Sequence, residues 1–132
     1  MNIMLDTNIC IYAIKQKPRA VLERCSSFPT GAVGISVITL AELEYGARKS
    51  SQPVRNSEAL EEFIAPLEIA VFDRPATIAY GNLRALLEKR GQPIGSMDLL
   101  IAAHAVSLGV PLATNNVREF KRVPNLRVEN WV

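Results

Sequence analysis

The chain alternates. Short apolar runs (Ile3-Met4-Leu5, Val33 to Ser36, "LEIAVF" at 67–72 and "PLAT" at 111–114) are each followed by a longer segment in which apolar residues recur at helical spacing. Runs this short, bounded by turn residues, read as buried strands joined by crossover helices. The pattern predicts an α/β domain. Its sheet is mainly parallel, with four to five short strands and helices on both faces. The stretch "LRVENW" at 126–131 is a candidate edge strand.

Helix signals fill the gaps. One helix is expected from Thr7 to Ile14, and a second to about Cys25 with Pro18 in its first turn. Pro29-Thr30-Gly31 is a turn, and "VITLAELEYGARKS" at 37–50 is a helix ending on basic residues, as the helix dipole favours. Pro53 opens a helix that stops before Pro66. Pro75 fits the first turn of a long helix running to about Arg90, with Gly91 as its C-terminal cap. "SMDLLIAAHAVSLG" starts at 96 with Ser96 as N-cap and leaves through Gly109, and "VREFKR" at 117–122 is a short helical turn.

Composition narrows the class. At 132 residues the chain is expected to be one domain over 1–132, and 48% hydrophobic with 21% charged residues excludes disorder. A net charge of +2 does not by itself call for nucleic acid. No apolar run reaches the roughly 18 residues of a membrane span, and the N-terminus lacks a secretion leader, so a cytoplasmic protein without membrane contact is expected. Cys10 and Cys25 have no metal-ligand spacing and read as small buried thiols of a reducing compartment.

Parallel sheets bind ligands outside the carboxyl ends of their strands. Asp6 follows the first strand, Ser36 ends the second, and Asn115 and Asn116 follow the fourth, which puts all four on one edge. Asp6 is also a good helix N-cap. Asp98 is the only acid in an otherwise apolar helix, where an unpaired carboxylate is costly, although the helix dipole favours it near the N-terminus. Glu42 and Glu44 lie roughly 200° apart around their helix, so one can face inward and the other solvent; periodicity does not choose between them. Three acids at one edge suggest a hard divalent cation, which takes oxygen ligands and acidifies a bound water. Spacing alone equally allows three separate caps.

"MLDTNICIY", "TLAELEYGA", "PIGSMDLLIAAHA" and "TNNVREFKRVPNLRVENW", in this order over nearly the whole chain, resemble the PIN-domain ribonucleases, and more closely the VapC toxins of bacterial VapBC toxin–antitoxin systems. The resemblance implies an α/β/α sandwich and an endoribonuclease dependent on Mg²⁺, with Mn²⁺ as substitute, leaving a 5′-phosphate and a 3′-hydroxyl. It puts catalytic acids at Asp6, Glu42 (rather than Glu44) and Asp98, with Asp6 and Asp98 as direct metal ligands. Thr7, Asn8 and Ser36 would supply hydrogen bonds around them. Many PIN domains carry a fourth acid where this chain has Asn116, and Glu119 is a candidate substitute. The implied partners are RNA, with tRNA as best guess, a VapB-type antitoxin, operator DNA through that antitoxin, and a second copy in a homodimer. The apolar stretches "ICIYAI" and "FIAPLEIAVF" could serve those interfaces or the core.

A nuclease also needs cations around its acids. Arg118 and Lys121 follow the strand edge and are the best candidates for RNA; Arg48-Lys49, Arg55, Lys89-Arg90 and Arg122 read more simply as solvated helix ends. His104 lies well over a turn and a half beyond Asp98, so it reads as a packing residue without a catalytic role. Trp131 is expected to pack the C-terminus on the core. Two other functions stay open: a metal-dependent hydrolase of small phosphate esters, and a catalytically silent PIN fold that binds RNA or protein.

Overall fold

The computed structural model describes all residues from Met1 to Val132. In chain order the elements are β1 (Ile3–Leu5), α1 (Thr7–Lys15), α2 (Arg19–Ser26), β2 (Val33–Ser36), α3 (Val37–Lys49), α4 (Pro53–Ile64), β3 (Glu68–Ala70), α5 (Arg74–Lys89), α6 (Ser96–Leu108), β4 (Leu112–Thr114), α7 (Val117–Phe120) and β5 (Val128–Asn130). The five strands form one sheet in the order β3-β2-β1-β4-β5, and every pair is parallel.

Strand parity builds two cores. Ile3, Leu5, Val33, Ile35 and Ala113 point to one face, where they pack with Ile9, Cys10 and Ala13 of α1, Val21 of α2, Leu43 of α3 and Leu60 of α4. Met4 and Leu112 point to the other, beneath Leu83 and Leu87 of α5, the apolar body of α6, and Phe120 of α7. Alternate residues of a strand face opposite sides, so three-residue strands suffice to seed both layers of the sandwich. Trp131 is buried on the first face, stacked on Phe28 with ring centroids 5.8 Å apart.

Three local expectations change. Pro18 precedes α2 as its extended N-cap residue, and the helix begins at Arg19. Ser96 is the first helical residue of α6; Gly95 occupies the cap position, its amide donating to Glu119 Oε1 at 3.0 Å. β3 covers only Glu68–Ala70 of the apolar run. As an edge strand it pairs with β2 alone, and the chain then leaves the sheet toward Asp73, which caps α5 through the Ala76 amide. Val71 is accordingly 71% exposed.

Gly34 lets β1, β2 and β3 close. A Cβ there would collide with Met1 Cε and lie 2.8 Å from the Glu68 carbonyl oxygen. The Met1 side chain can move, but the β3 backbone cannot without breaking the ladder. Gly34→Val should therefore cost about 2–3 kcal/mol, to be read as a lower midpoint in urea unfolding with the slope unchanged.

Candidate active site

Strand order reverses between β1 and β4: successive strands run outward from β1 on one side and from β4 on the other. Such a switch point opens a crevice at the carboxyl ends of the strands. Asp6 sits at its mouth. Its amide donates to the Ala113 carbonyl at 2.9 Å, which fixes the backbone against β4. Asp6 is 2% exposed. Its Oδ1 accepts from the Thr7 amide at 2.8 Å, and its Oδ2 accepts from Thr114 Oγ1 at 2.7 Å. Asp6 thus caps α1 and still has acceptor capacity, since a carboxylate offers about four lone-pair sites.

The same threonine continues a chain of contacts. Thr114 Oγ1 accepts from the Asn116 amide at 2.9 Å. Asn116 Nδ2 donates to Glu119 Oε2 at 2.9 Å, and the other oxygen of Glu119 takes the Gly95 amide that begins α6. Asp98 lies in the first turn of that helix. A Cβ on Gly95 would stand 3.9 Å from both Asp98 Oδ2 and Glu119 Oε1, so the two carboxylates border the same small space. On the other side, Thr7 Oγ1 donates to Glu42 Oε1 at 2.7 Å, with Thr39 Oγ1 a further 3.4 Å from the Thr7 hydroxyl. Glu44 turns away to an exposed pair with Arg48. Of the two glutamates, Glu42 is the one that faces Asp6.

The electrostatics follow from this crowding. Burial, then the charges of Asp6, Glu119 and Glu42, push the Asp98 carboxyl up to about 6. Burial also raises the pKa of Asp6, against the opposing pull of the Thr114 and Thr7 hydrogen bonds. Glu119 moves the other way, lowered first by the Gly95 amide and then by Asn116. Asp98 accepts no hydrogen bond from the protein. Four acids from four segments therefore share one field, and only Asp98 has both oxygens free.

No three Asp, Glu, His or Cys side chains close on one point as a ready-made metal cage. The donor set nevertheless fits a hard cation of the Mg²⁺ type. Such ions demand oxygen ligands, keep several waters and take only one or two carboxylates directly. Asp6 retains unused lone pairs and Asp98 is unbonded, while Glu42 and Glu119 are held by hydrogen bonds from Thr7, Asn116 and Gly95.

The remaining expected residues are dispersed. Asn8 is exposed and bonds to none of the acids. Ser36 does not serve the acids either: its hydroxyl accepts from the Ile38 amide at 3.0 Å and meets His104 Nδ1 at 2.7 Å. Strand parity explains this correction, since Ser36 points to the α6 face of the sheet. Arg118 on α7 and Lys121, which caps its C-terminus, are exposed and enter no ion pair, whereas Arg122 Nη1 donates to the Pro93 carbonyl at 3.0 Å. Three participants were not foreseen: Thr114, Thr39 and Gly95. Thr114 ends β4 at the switch point, and Thr39 precedes Glu42 by one helical turn, so both had a positional signal.

With this geometry in place, the relatives become informative. A family model described as "PIN domain" matches residues 3–126. The tRNA(fMet)-specific endonuclease VapC of Salmonella typhimurium is 47% identical over 131 residues, covering 99% of this chain and 98% of that protein. The chain is a PIN-domain protein of the VapC ribonuclease family. Ribonuclease VapC2 of Rickettsia felis is 46% identical over 129 residues, covering 97% of this chain and 96% of that protein. Among solved structures, DNA-bound VapBC from Salmonella typhimurium aligns with a TM-score of 0.94 at 47% identity, covering 100% of this chain and 99% of that one. VapBC2 from Rickettsia felis, bound to a fragment of promoter DNA, aligns with a TM-score of 0.90 at 46% identity over 100% of both chains. The α/β/α sandwich is thus the PIN fold, and PIN-domain nucleases are metal-dependent. No helix of this VapC-family chain is long and apolar enough to cross a membrane.

Proposed function

We propose that this chain is an endoribonuclease toxin working as a single PIN domain over residues 1–132, with Asp6, Glu42 and Asp98 as its catalytic acids. The observation that carries the reading is the hydrogen-bonded line from Asp6 through Thr114, Asn116 and Glu119 to the head of the helix bearing Asp98. Asp6 and Asp98 would hold Mg²⁺ directly, and Mn²⁺ would substitute for it. When bound, the cation supplies an acidified water and neutralises charge on a phosphodiester. Asp98, unbonded and repelled by its neighbours, gains most from a cation. Glu42, oriented by Thr7, has an oxygen free to take a proton from the attacking water. Glu119 takes the place of the acid that many PIN domains have at the position of Asn116, and the Asn116 amide holds it there. Water forms the new P–O bond as the P–O3′ bond breaks, and the departing 3′-oxygen takes up a proton, leaving a 5′-phosphate and a 3′-hydroxyl.

The tRNA(fMet) specificity in the name of the Salmonella relative supports tRNA as the substrate class. The VapBC complexes support a VapB-type antitoxin as partner and operator DNA as a ligand of the complex through that antitoxin. A homodimer in the cytoplasm completes the proposal. Incubating the purified protein with initiator tRNA and Mg²⁺ should give discrete fragments that EDTA abolishes. Turnover of p-nitrophenyl phosphate with intact tRNA would instead favour a small-ester hydrolase.

Arg118 and Lys121 carry the polyanion past the acids. The double variant Arg118→Ala/Lys121→Ala should raise KM for RNA about tenfold at 150 mM salt with kcat little changed. It should also reduce the slope of log affinity against log salt by about one to two. An unchanged slope places the RNA elsewhere.

A further inference from the structure

His104 is fully buried in α6, the helix that carries Asp98, and the reaction above does not use it. Its environment is specific. Nδ1 lies 2.7 Å from Ser36 Oγ, and Phe72 meets the ring edge-on with centroids 5.2 Å apart. Ser36 is the N-cap of α3, its Oγ accepting from the Ile38 amide at 3.0 Å. A serine oxygen that accepts an amide proton still has its own proton to give. A tautomer with its proton on Nε2 lets Ser36 donate to Nδ1 while its Oγ accepts the Ile38 amide, and the Val71 backbone is a further hydrogen-bond partner of the ring.

The position of this contact gives it a consequence. Ser36 begins the helix that presents Glu42, and His104 belongs to the helix that presents Asp98. Asp98 and Glu42 share no direct hydrogen bond, and α3 packs on α6, with Ile38 of its first turn against the core that α6 helps build. We propose that His104 is a positioning residue: through Ser36 it anchors the start of α3 on α6 and so sets the distance between Glu42 and Asp98. Displacing catalytic groups by about 1 Å can cost as much as two orders of magnitude in rate. Arg118 and Lys121, the proposed RNA contacts, bond to neither Ser36 nor His104. The loss should fall on kcat, not on KM.

This inference rests on the ribonuclease reading, and the experiment separates the two. Cleavage of initiator tRNA is measured at saturating Mg²⁺, well below the unfolding temperature. The proteins compared are wild type, His104→Phe, Ser36→Ala, the double variant and His104→Asn. His104→Phe and Ser36→Ala should each lose about tenfold in kcat with KM within twofold, and the double variant should lose no more than either. His104→Asn, whose Oδ1 replaces Nδ1 as acceptor, should stay within threefold of wild type. Wild-type kcat in His104→Phe, or losses that multiply in the double variant, would overturn the proposal. Should His104→Phe fail to fold, the contrast between Ser36→Ala and His104→Asn decides it alone. If wild type cuts no RNA, the ribonuclease reading falls, and hydrogen exchange at the Ile38 amide then tests the anchor. About tenfold faster exchange in His104→Phe, with near wild-type exchange in His104→Asn, supports it, and unchanged exchange in His104→Phe refutes it.

Discussion

Asp98→Asn should abolish RNA cleavage, by at least about a thousandfold, while making the metal-free protein more stable at neutral pH. The two effects have one cause. Asp98 is crowded by burial and by Asp6, Glu119 and Glu42, and titrates at about 6 in the folded protein. Its ordinary value is near 3.8. A group whose folded pKa is raised contributes stability that is fully present below its unfolded pKa and is lost as pH rises through the folded one. Between pH 4 and pH 7 the metal-free protein therefore loses stability at this residue, most steeply around pH 5, midway between the two values. An amide removes the charge that the fold resists. A shift of about two pH units corresponds to roughly 3 kcal/mol at most, and partial exposure with solvent screening reduces it to about 1–2 kcal/mol. For a chain of this size that is about 3–7 °C in Tm at pH 7.5, shrinking toward zero below pH 4. Calorimetric melts of both proteins across this range provide the check. A variant that loses both activity and stability at pH 7.5 would mean that Asp98 serves the fold and not a cation.

Divalent cations should stabilise the wild-type protein, and the effect should depend on pH in the opposite sense. At pH 7.5, with Asp98 ionised, 5 mM Mn²⁺ should raise Tm by about 10 °C, as expected for a ligand present at roughly 100 times its Kd. At pH 5, with Asp98 largely protonated, most of that rise should disappear. His104 does not mimic this pattern. Burial lowers its pKa, so its contribution is lost as pH falls below about 6.5 and is independent of metal. EDTA should abolish RNA cleavage outright without unfolding the protein, because both cores lie away from the crevice. Equal Mn²⁺ effects at the two pH values would detach the cation from these carboxylates.

The layered fold was legible because its signals are local. Three-residue apolar runs between helical segments have few arrangements other than a parallel sheet, and Pro53, Pro75, Gly91 and Gly109 mark helix ends by backbone chemistry alone. Asp98 stood out because an acid amid "LLIAAHAV" needs a reason. The site was less legible where it depends on three dimensions. Glu42 and Glu44 are equivalent by periodicity, and what separates them is the Thr7 hydroxyl, contributed by a helix 35 residues away. Ser36 sits on the correct edge but on the wrong face. Val33 and Ile35 point to α1, so Ser36 must point to α6, where His104 meets it. Thr114 looked like the end of a strand, and only the β1–β4 pairing places it between Asp6 and Asn116.

The central claim is that acids from separate segments form one cavity that captures a divalent cation. Mn²⁺ binding followed by electron paramagnetic resonance at pH 7.5 tests it most directly, on wild type, Asp6→Asn and Asp98→Asn, each confirmed as folded by circular dichroism. The account predicts saturable binding to wild type and at least tenfold weaker binding to both variants. Wild-type affinity in either variant would contradict it.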